Sequence, residues 1–519
     1  MRHWKRVWVH ARPSPSLGSC DTNLKTSTSG FSIISGRRSK IQDPRSLAIR
    51  CFCIRPEQKR LVGNHRLASS IFGLGSELSL CLHYRCPRTF NVQPATNQRG
   101  CPVRLATFRI LAVLATVLAI LSLPGMGQRI YEEKRVPPSD FVVMTWGSTP
   151  AIPQQLQWMK DAGINVAGFA AVKDLPAFEA AGLQVFVSDR RVNGYDFDKP
   201  LDEAEVRRNL QSLADEIGDS SAVIGFMLRD EPHTRKMPSL GQVAKLIQEY
   251  FPGKLPYVNL FPVRVSTERV GVSTYDEYVR MLVEVVKQPF LSYDNYSLVK
   301  GEMLDYFFTN LEVVGRLSVE LGVPFWNCVL SNTHFNYMEN SDATYHLQAY
   351  ATMAHGGRGM QYFSYFTWAN GNYRLGPIDQ FGNKTPSWDM IRRVNNEIHV
   401  LAPTLKKLTS TGVYHYPLVP PRCHPLSDSK LIKSVEMTQR YVVPPVQGRF
   451  LIGEFEDNQE RPYFMLVNKD LGESFRYRIE LKEPGKLIHI SPYSGNEENF
   501  GREMDWVAPG AGHLFRIER

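Results

Sequence analysis

Residues 222–232 read Ala-Val-Ile-Gly-Phe-Met-Leu-Arg-Asp-Glu-Pro, and this stretch decides the fold. The run Ala222–Leu228 is apolar without a break, so neither of its faces is built for water. Such a run suits a strand covered on both sides, as in a parallel sheet flanked by helices. Charge arrives only at Arg229-Asp230-Glu231, and Pro232 then suits the first turn of a following helix.

The same figure recurs on either side. Apolar runs precede it at Phe141–Gly147, Ile164–Phe169 and Leu183–Ser188, and follow it at Pro256–Phe261, Pro289–Tyr293, Pro324–Leu330 and Met360–Phe366. From the fourth run on, the starts lie 34, 33, 35 and 36 residues apart, one strand–helix unit each. Helical periodicity fills gaps at Ile152–Ala162, Leu201–Ile217, Leu240–Tyr250, Thr274–Lys287, Gly301–Leu321, Ala343–His355 and Trp388–Lys407. Gly163, Gly182 and Gly322 stop helices as residues free to turn left-handed. Eight units over residues 141–408 match the size of a closed barrel, about 250 residues. No Gly-rich phosphate loop follows the first run, which counts against an open doubly wound sheet. The expected fold is α/β: a (β/α)8 TIM barrel over 128–408, followed by a small antiparallel, sandwich-like β-domain over 409–519. The second part rests on short runs such as Tyr463–Val467, Arg476–Glu480 and Leu487–Ser491, broken by Gly, Pro and Asn.

The net charge of +10 invites a nucleic-acid partner, but its distribution rejects one. Residues 1–127 hold 19 Lys/Arg against 4 Asp/Glu, which leaves the rest of the chain at −5. Six of the eight cysteines also lie in that head. Cys51 and Cys53 are one residue apart with no partner pair, so zinc is not expected, and Cys328 reads as a free core thiol. Residues 1–102 show no apolar periodicity. Arg104 and Arg109 then precede the apolar run Ile110–Leu123 and the small residues Pro124-Gly125-Met126-Gly127. That order is the pattern of a secretory signal peptide, and its run is shorter than the ~20 residues of a membrane span. Translation is therefore expected to start near Val103, residues 1–102 to be an upstream extension, and residues 103–127 to be cleaved; the rival readings are a basic N-terminal region with a single-pass anchor and a disordered interaction tail. The mature protein would begin near Gln128, secreted or periplasmic, with no membrane anchor.

In a barrel, chemistry collects where strands end. Here those ends carry Trp146, Asp230-Glu231, Asn259, Asp294-Asn295-Tyr296, Trp326 and Trp368. Carboxylates move protons, amides bind hydroxyls, and aromatic faces stack on the apolar faces of sugar rings. Glycoside hydrolysis needs a carboxylic acid to protonate the leaving oxygen and a second carboxylate as nucleophile or base. Glu231 is the first of these, and the adjacent charge of Asp230 would raise its proton affinity. His233 and His334 lie on the same face without a spaced carboxylate pair, so no metal is expected, nor any other cofactor.

The segment GFMLRDEP at 225–232, HGGRGMQYFSYFTW at 355–368 and DQFGNKTPSWDMIRRVNNEI at 379–398 resemble the retaining glycosidases of the large (β/α)8 superfamily that includes β-galactosidases and cellulases. The resemblance implies a carbohydrate substrate and a Glu231 acid/base at the end of strand 4. It also implies a nucleophilic Glu on strand 7, where this chain reads FWNCVLSNTHF and has no carboxylate. Asp294, at the end of strand 6, is the expected substitute, and Glu339 the second choice. Trp146, Asp230, Asn259, Asn295, Tyr296, Trp326 and Trp368 are expected to bind substrate. The missing strand-7 Glu keeps open a non-catalytic carbohydrate-binding barrel.

Overall fold

The computed structural model describes residues 140–439, 446–500 and 505–519. The expected extension at 1–102 and the export signal at 103–127 lie outside the described residues.

Eight parallel strands form the inner wall: β1 Val142–Trp146, β2 Val166–Ala170, β3 Gln184–Val187, β4 Val223–Asp230, β5 Leu255–Asn259, β6 Leu291–Asp294, β7 Phe325–Leu330 and β8 Gly359–Phe363. They pair in the order β5-β4-β3-β2-β1-β8-β7-β6. The ring closes through a parallel bridge between Leu260 and Tyr293, with Leu260 N–H donating to Ser292 O at 2.9 Å. The principal helices alternate with the strands: α1 Pro153–Asp161, α2 Leu175–Ala181, α3 Glu203–Ile217, α4 Met237–Tyr250, α5 Tyr275–Glu284, α6 Asp305–Leu321, α7 Asp342–Ala354 and α8 Pro386–Leu405. The expected (β/α)8 barrel is thus the fold of this chain.

Two apolar systems hold the barrel. Outward-facing strand residues such as Val143, Val185, Val258 and Val329 pack on the helices. Inward-facing Met144, Val166, Phe186, Met227, Tyr257, Phe290 and Trp326 fill the interior below the strand ends. This placement corrects one expectation. Trp326, the second residue of β7, is 5% exposed and stacks on Phe290 with ring centroids 3.9 Å apart. It fills the barrel floor, with its ring covered by Phe290 and Phe186 instead of standing at the strand ends.

The chain leaves α8 into two antiparallel sheets. The larger contains Leu408–Tyr416, Phe450–Asp457, Pro462–Asn468, Gly512–Glu518 and Lys486–Ile490; in the smaller, Phe475–Leu481 lies between Ile432–Gln439 and Asp505–Val507. Alternation in the larger sheet divides its side chains between two cores. Phe450, Ile452, Phe464 and Leu466 face the smaller sheet, while Leu451, Phe455, Met465 and Val467 join the barrel core. That sheet rests on α7, and Gly453 lets the two backbones meet, since a Cβ there would lie 2.1 Å from Ala354 O. Gly453→Val should force sheet and helix apart and cost about 1–3 kcal/mol, the usual penalty of overpacking, read as a lowered Tm in thermal unfolding. An unchanged Tm would show that the junction is slack. Cys328 and Cys423 are both free thiols.

Candidate active site

β4 brings Asp230 and Glu231 to the open end of the barrel. Glu231 takes φ 45°, a left-handed conformation unfavourable for a residue with a Cβ, and its N–H is held by Asn259 O at 2.8 Å. The chain thereby leaves the strand direction at the residue expected to donate a proton. β6 delivers Asp294 to the same end, with its N–H directed to Leu260 O at 3.4 Å.

Asn259, the last residue of β5, lies between them. Its amide nitrogen donates to Asp230 Oδ1 at 3.2 Å and to Asp294 Oδ1 at 3.3 Å. The two oxygens are therefore no more than about 6.5 Å apart, which brings Asp294 beside the residue that precedes Glu231. The amide's orientation is set from below. Trp146 Nε1–H donates to Tyr257 OH at 3.1 Å, Tyr257 to Gln361 Oε1 at 2.5 Å, Gln361 to Ser292 Oγ at 2.8 Å, and Ser292 to Asn259 Oδ1 at 2.9 Å. The indole can only donate and the carboxylates, once ionised, can only accept, so the chain of bonds runs in one direction. The Asn259 NH2 group must face the acids.

All three acids hold their protons more tightly than usual. Asp230 is open to a water-sized molecule, yet protein atoms ring it within the bowl, and this loss of bulk water raises its carboxyl to about 6. Burial first, and then the Asp230 charge, raise Glu231 to about 7, while Arg269 opposes the rise. Asp294 is raised furthest, by burial and then by the charges of Glu231 and Asp230. Carboxyls this close titrate as a set. Each charge raises the proton affinity of its neighbours, so the set holds protonated and ionised carboxyls together over a broad pH range. Asp230→Asn removes a charge that raises Glu231. The alkaline limb of the pH–kcat/KM profile should then move below about 7, and a limb that stays put would detach Asp230 from the acid's titration.

Aromatic rings line one side. Trp146 is half-buried against Phe169 and Phe363, at 5.2 and 5.4 Å. Tyr296 stacks on Phe363 at 5.0 Å. Trp368, 37% exposed, lies 4.8 Å from Tyr373, which stacks on His334 at 4.7 Å, and Phe335 beyond them is 71% exposed. Sequence reasoning named Trp146, Tyr296 and Trp368 but missed Phe363, Tyr373 and Phe335. Exposed aromatics in the loops after β7 and β8 were the available signal.

Two further expectations are corrected. Asn295 is 1% exposed, donates to Tyr306 O at 3.0 Å and Asn310 Oδ1 at 3.3 Å, and accepts from Ser297 at 2.6 Å. It ties the β6 loop to α6 and cannot reach a ligand. Glu339 forms an exposed ion pair with Arg374 at 3.0 Å and takes no part in the Asp230–Asn259–Asp294 network. Among the described residues no cluster of three His, Cys, Asp or Glu side chains could hold a metal ion, and no helix is long and apolar enough to cross a membrane.

No protein-family model matches the chain, and no curated protein matches it either. Solved structures do. Gan42B, a GH42 β-galactosidase from G. stearothermophilus solved as a catalytic mutant, aligns over 75% of this chain and 100% of its own at 9% identity and a TM-score of 0.49. A glycoside hydrolase family 5 protein from Bacteroides vulgatus aligns over 75% and 92% at 13% identity and 0.47. A β-galactosidase from the psychrophilic Marinomonas ef1 aligns over 51% and 60% at 11% identity and a TM-score of 0.36, so this chain spans about three fifths of that protein's length. Identities this low leave the chemistry to the site's own geometry.

Proposed function

We propose that this chain is a glycoside hydrolase that cleaves O-glycosidic bonds of an oligo- or polysaccharide. The observation that carries the reading is the gathering of three acids at neighbouring strand ends: the Asn259 amide joins Asp230 to Asp294, and Glu231, next in the chain after Asp230, is close enough for its charge to raise Asp294. Glu231, raised to about 7, donates its proton to the departing glycosidic oxygen. Asp294 serves as the second carboxylate, attacking the sugar carbon or activating a water. Trp146, Tyr296 and Trp368 offer ring faces on which pyranoses can stack.

The test is a screen of aryl glycosides and plant or algal polysaccharides, with proton NMR of the first hemiacetal released. Turnover that requires Glu231, giving a product of retained anomeric configuration, is the expected result. A second reading, a carbohydrate-binding barrel without turnover, is favoured by one observation: the segment after β7 offers Ser331 and Asn332 where a carboxylate is wanted. Saturable sugar binding without cleavage of any substrate would select it.

A further inference from the structure

The loop between β5 and α5 carries two arginines over the bowl. Its single helical turn, Thr267–Val270, sits on the β4 loop just beyond Glu231: Thr234 Oγ1 donates to Val270 O at 2.6 Å, and Gly271 lies so close to His233 that a Cβ would meet its ring at 2.3 Å. Arg269 rides on this turn with its guanidinium 5.2 Å from the Phe261 ring. Arg264, earlier in the loop, stacks 4.8 Å from the Tyr306 ring and donates to Tyr337 OH at 3.4 Å. A third arginine, Arg229, immediately precedes Asp230-Glu231, and all three are exposed.

Elsewhere on the barrel, exposed Arg316, Arg374 and Arg393 each hold a carboxylate within 3.0 Å. Among the described residues, Arg229, Arg264 and Arg269 hold none within ion-pair distance, as is also true of exposed Arg190 and Arg208; Arg229 and Arg269 differ from these in lying close enough to the acids for their charges to be felt at Asp230 and Glu231. Stacking occupies the face of a guanidinium and leaves its N–H edge free, and that edge matches two oxygens of a carboxylate or sulfate. An unpaired cation beside a proton donor is otherwise a handicap, because it favours loss of the proton; the Arg269 charge does work against the rise in Glu231. An anion arriving with the substrate cancels that charge and leaves the acid protonated.

We infer that the sugar accepted by this bowl carries an anionic substituent, a carboxylate or a sulfate ester, and that Arg264 and Arg269 select it. The inference deepens the proposed glycosidase reading and rests on it for the identity of the bowl. Hydrogen bonds to charged groups are worth about tenfold or more in affinity each, so losing a bidentate fork should cost at least that much.

Binding and turnover are measured separately. Binding is read from tryptophan fluorescence of the Glu231→Gln protein, titrated with an oligouronate, a sulfated oligosaccharide and an uncharged oligosaccharide of equal length. At least one anionic probe should bind about tenfold or more tightly than the neutral one, and the preference should fade as salt is raised. Which probe binds assigns the anion. In an Arg264→Gln/Arg269→Gln variant whose Tm matches the parent, that preference should vanish. On the active protein, the ratio of kcat/KM for anionic over neutral substrates should fall about 10²-fold with the same double substitution. Arginine-dependent anion binding without cleavage of any substrate sustains this inference and removes the glycosidase reading. Equal affinity for charged and uncharged probes, or an anion preference that survives the double substitution, overturns it.

Discussion

Glu231→Gln should lower kcat/KM by about 10²–10⁴-fold on glycosides whose aglycone leaves as a poor anion, the usual worth of positioned acid–base help. Glutamine keeps the shape of the side chain and removes the transferable proton. Aglycones that leave readily, such as nitrophenolates, need little protonation and should suffer much less. An equal loss on both kinds would mean that Glu231 holds the sugar instead of donating a proton. The alkaline limb near about 7 should also disappear. The stability effect has a definite sign. A carboxyl raised from 4.5 to about 7 binds its proton more tightly in the folded chain, so its contribution is greatest below pH 4.5 and is lost as pH rises through about 7. The glutamine variant should therefore melt higher than the parent at pH 8, with the gap closing toward pH 4.5. This is the usual conflict between a poised acid and stability.

Asp294→Ala should abolish turnover, by more than about 10⁴-fold, beyond what loss of acid–base help alone brings. The fold should survive, because Asp294 is the half-buried last residue of β6 and stands outside the apolar clusters that fill the barrel. Azide supplied in solution can occupy the vacated volume and attack the sugar carbon from that face. The expected product is a glycosyl azide of inverted configuration, with rates rising as azide is added. Rescue yielding an azide of retained configuration would place Asp294 on the acid's side of the sugar and reverse the two roles. In Glu231→Gln, Asp294 loses a charge that raises it, so its titration should move down. Carbon-13 NMR of labelled aspartate can follow that shift.

Much of this protein was legible in one dimension. The eight strands stood out because a strand buried on both faces must be apolar along its whole length, and that property is local. Glu231 stood out for a related reason, as the first place where such a run meets charge. The short helix α2 was marked only by its closing Gly182, because its seven residues bury only Leu175 and Phe178, too few to display a helical period. Other features belonged to the tertiary structure. Every residue of β7 is buried, so nothing along Phe325–Leu330 tells an inward tryptophan from an outward one, and only the barrel's stagger assigned Trp326 to the floor. Asn259 and Asn295 are each an asparagine at a strand end, yet one faces two carboxylates and the other faces α6, a difference made by partners 29 to 35 and 11 to 15 residues away. Arg264 and Arg269 looked like ordinary loop charges. The sequence alone determined which segments line the barrel and where its acids emerge, because burial periodicity is written locally. Which acids meet, which amide joins them and which cations stand unpaired above them was decided only by ring closure, because those distances exist nowhere along the chain.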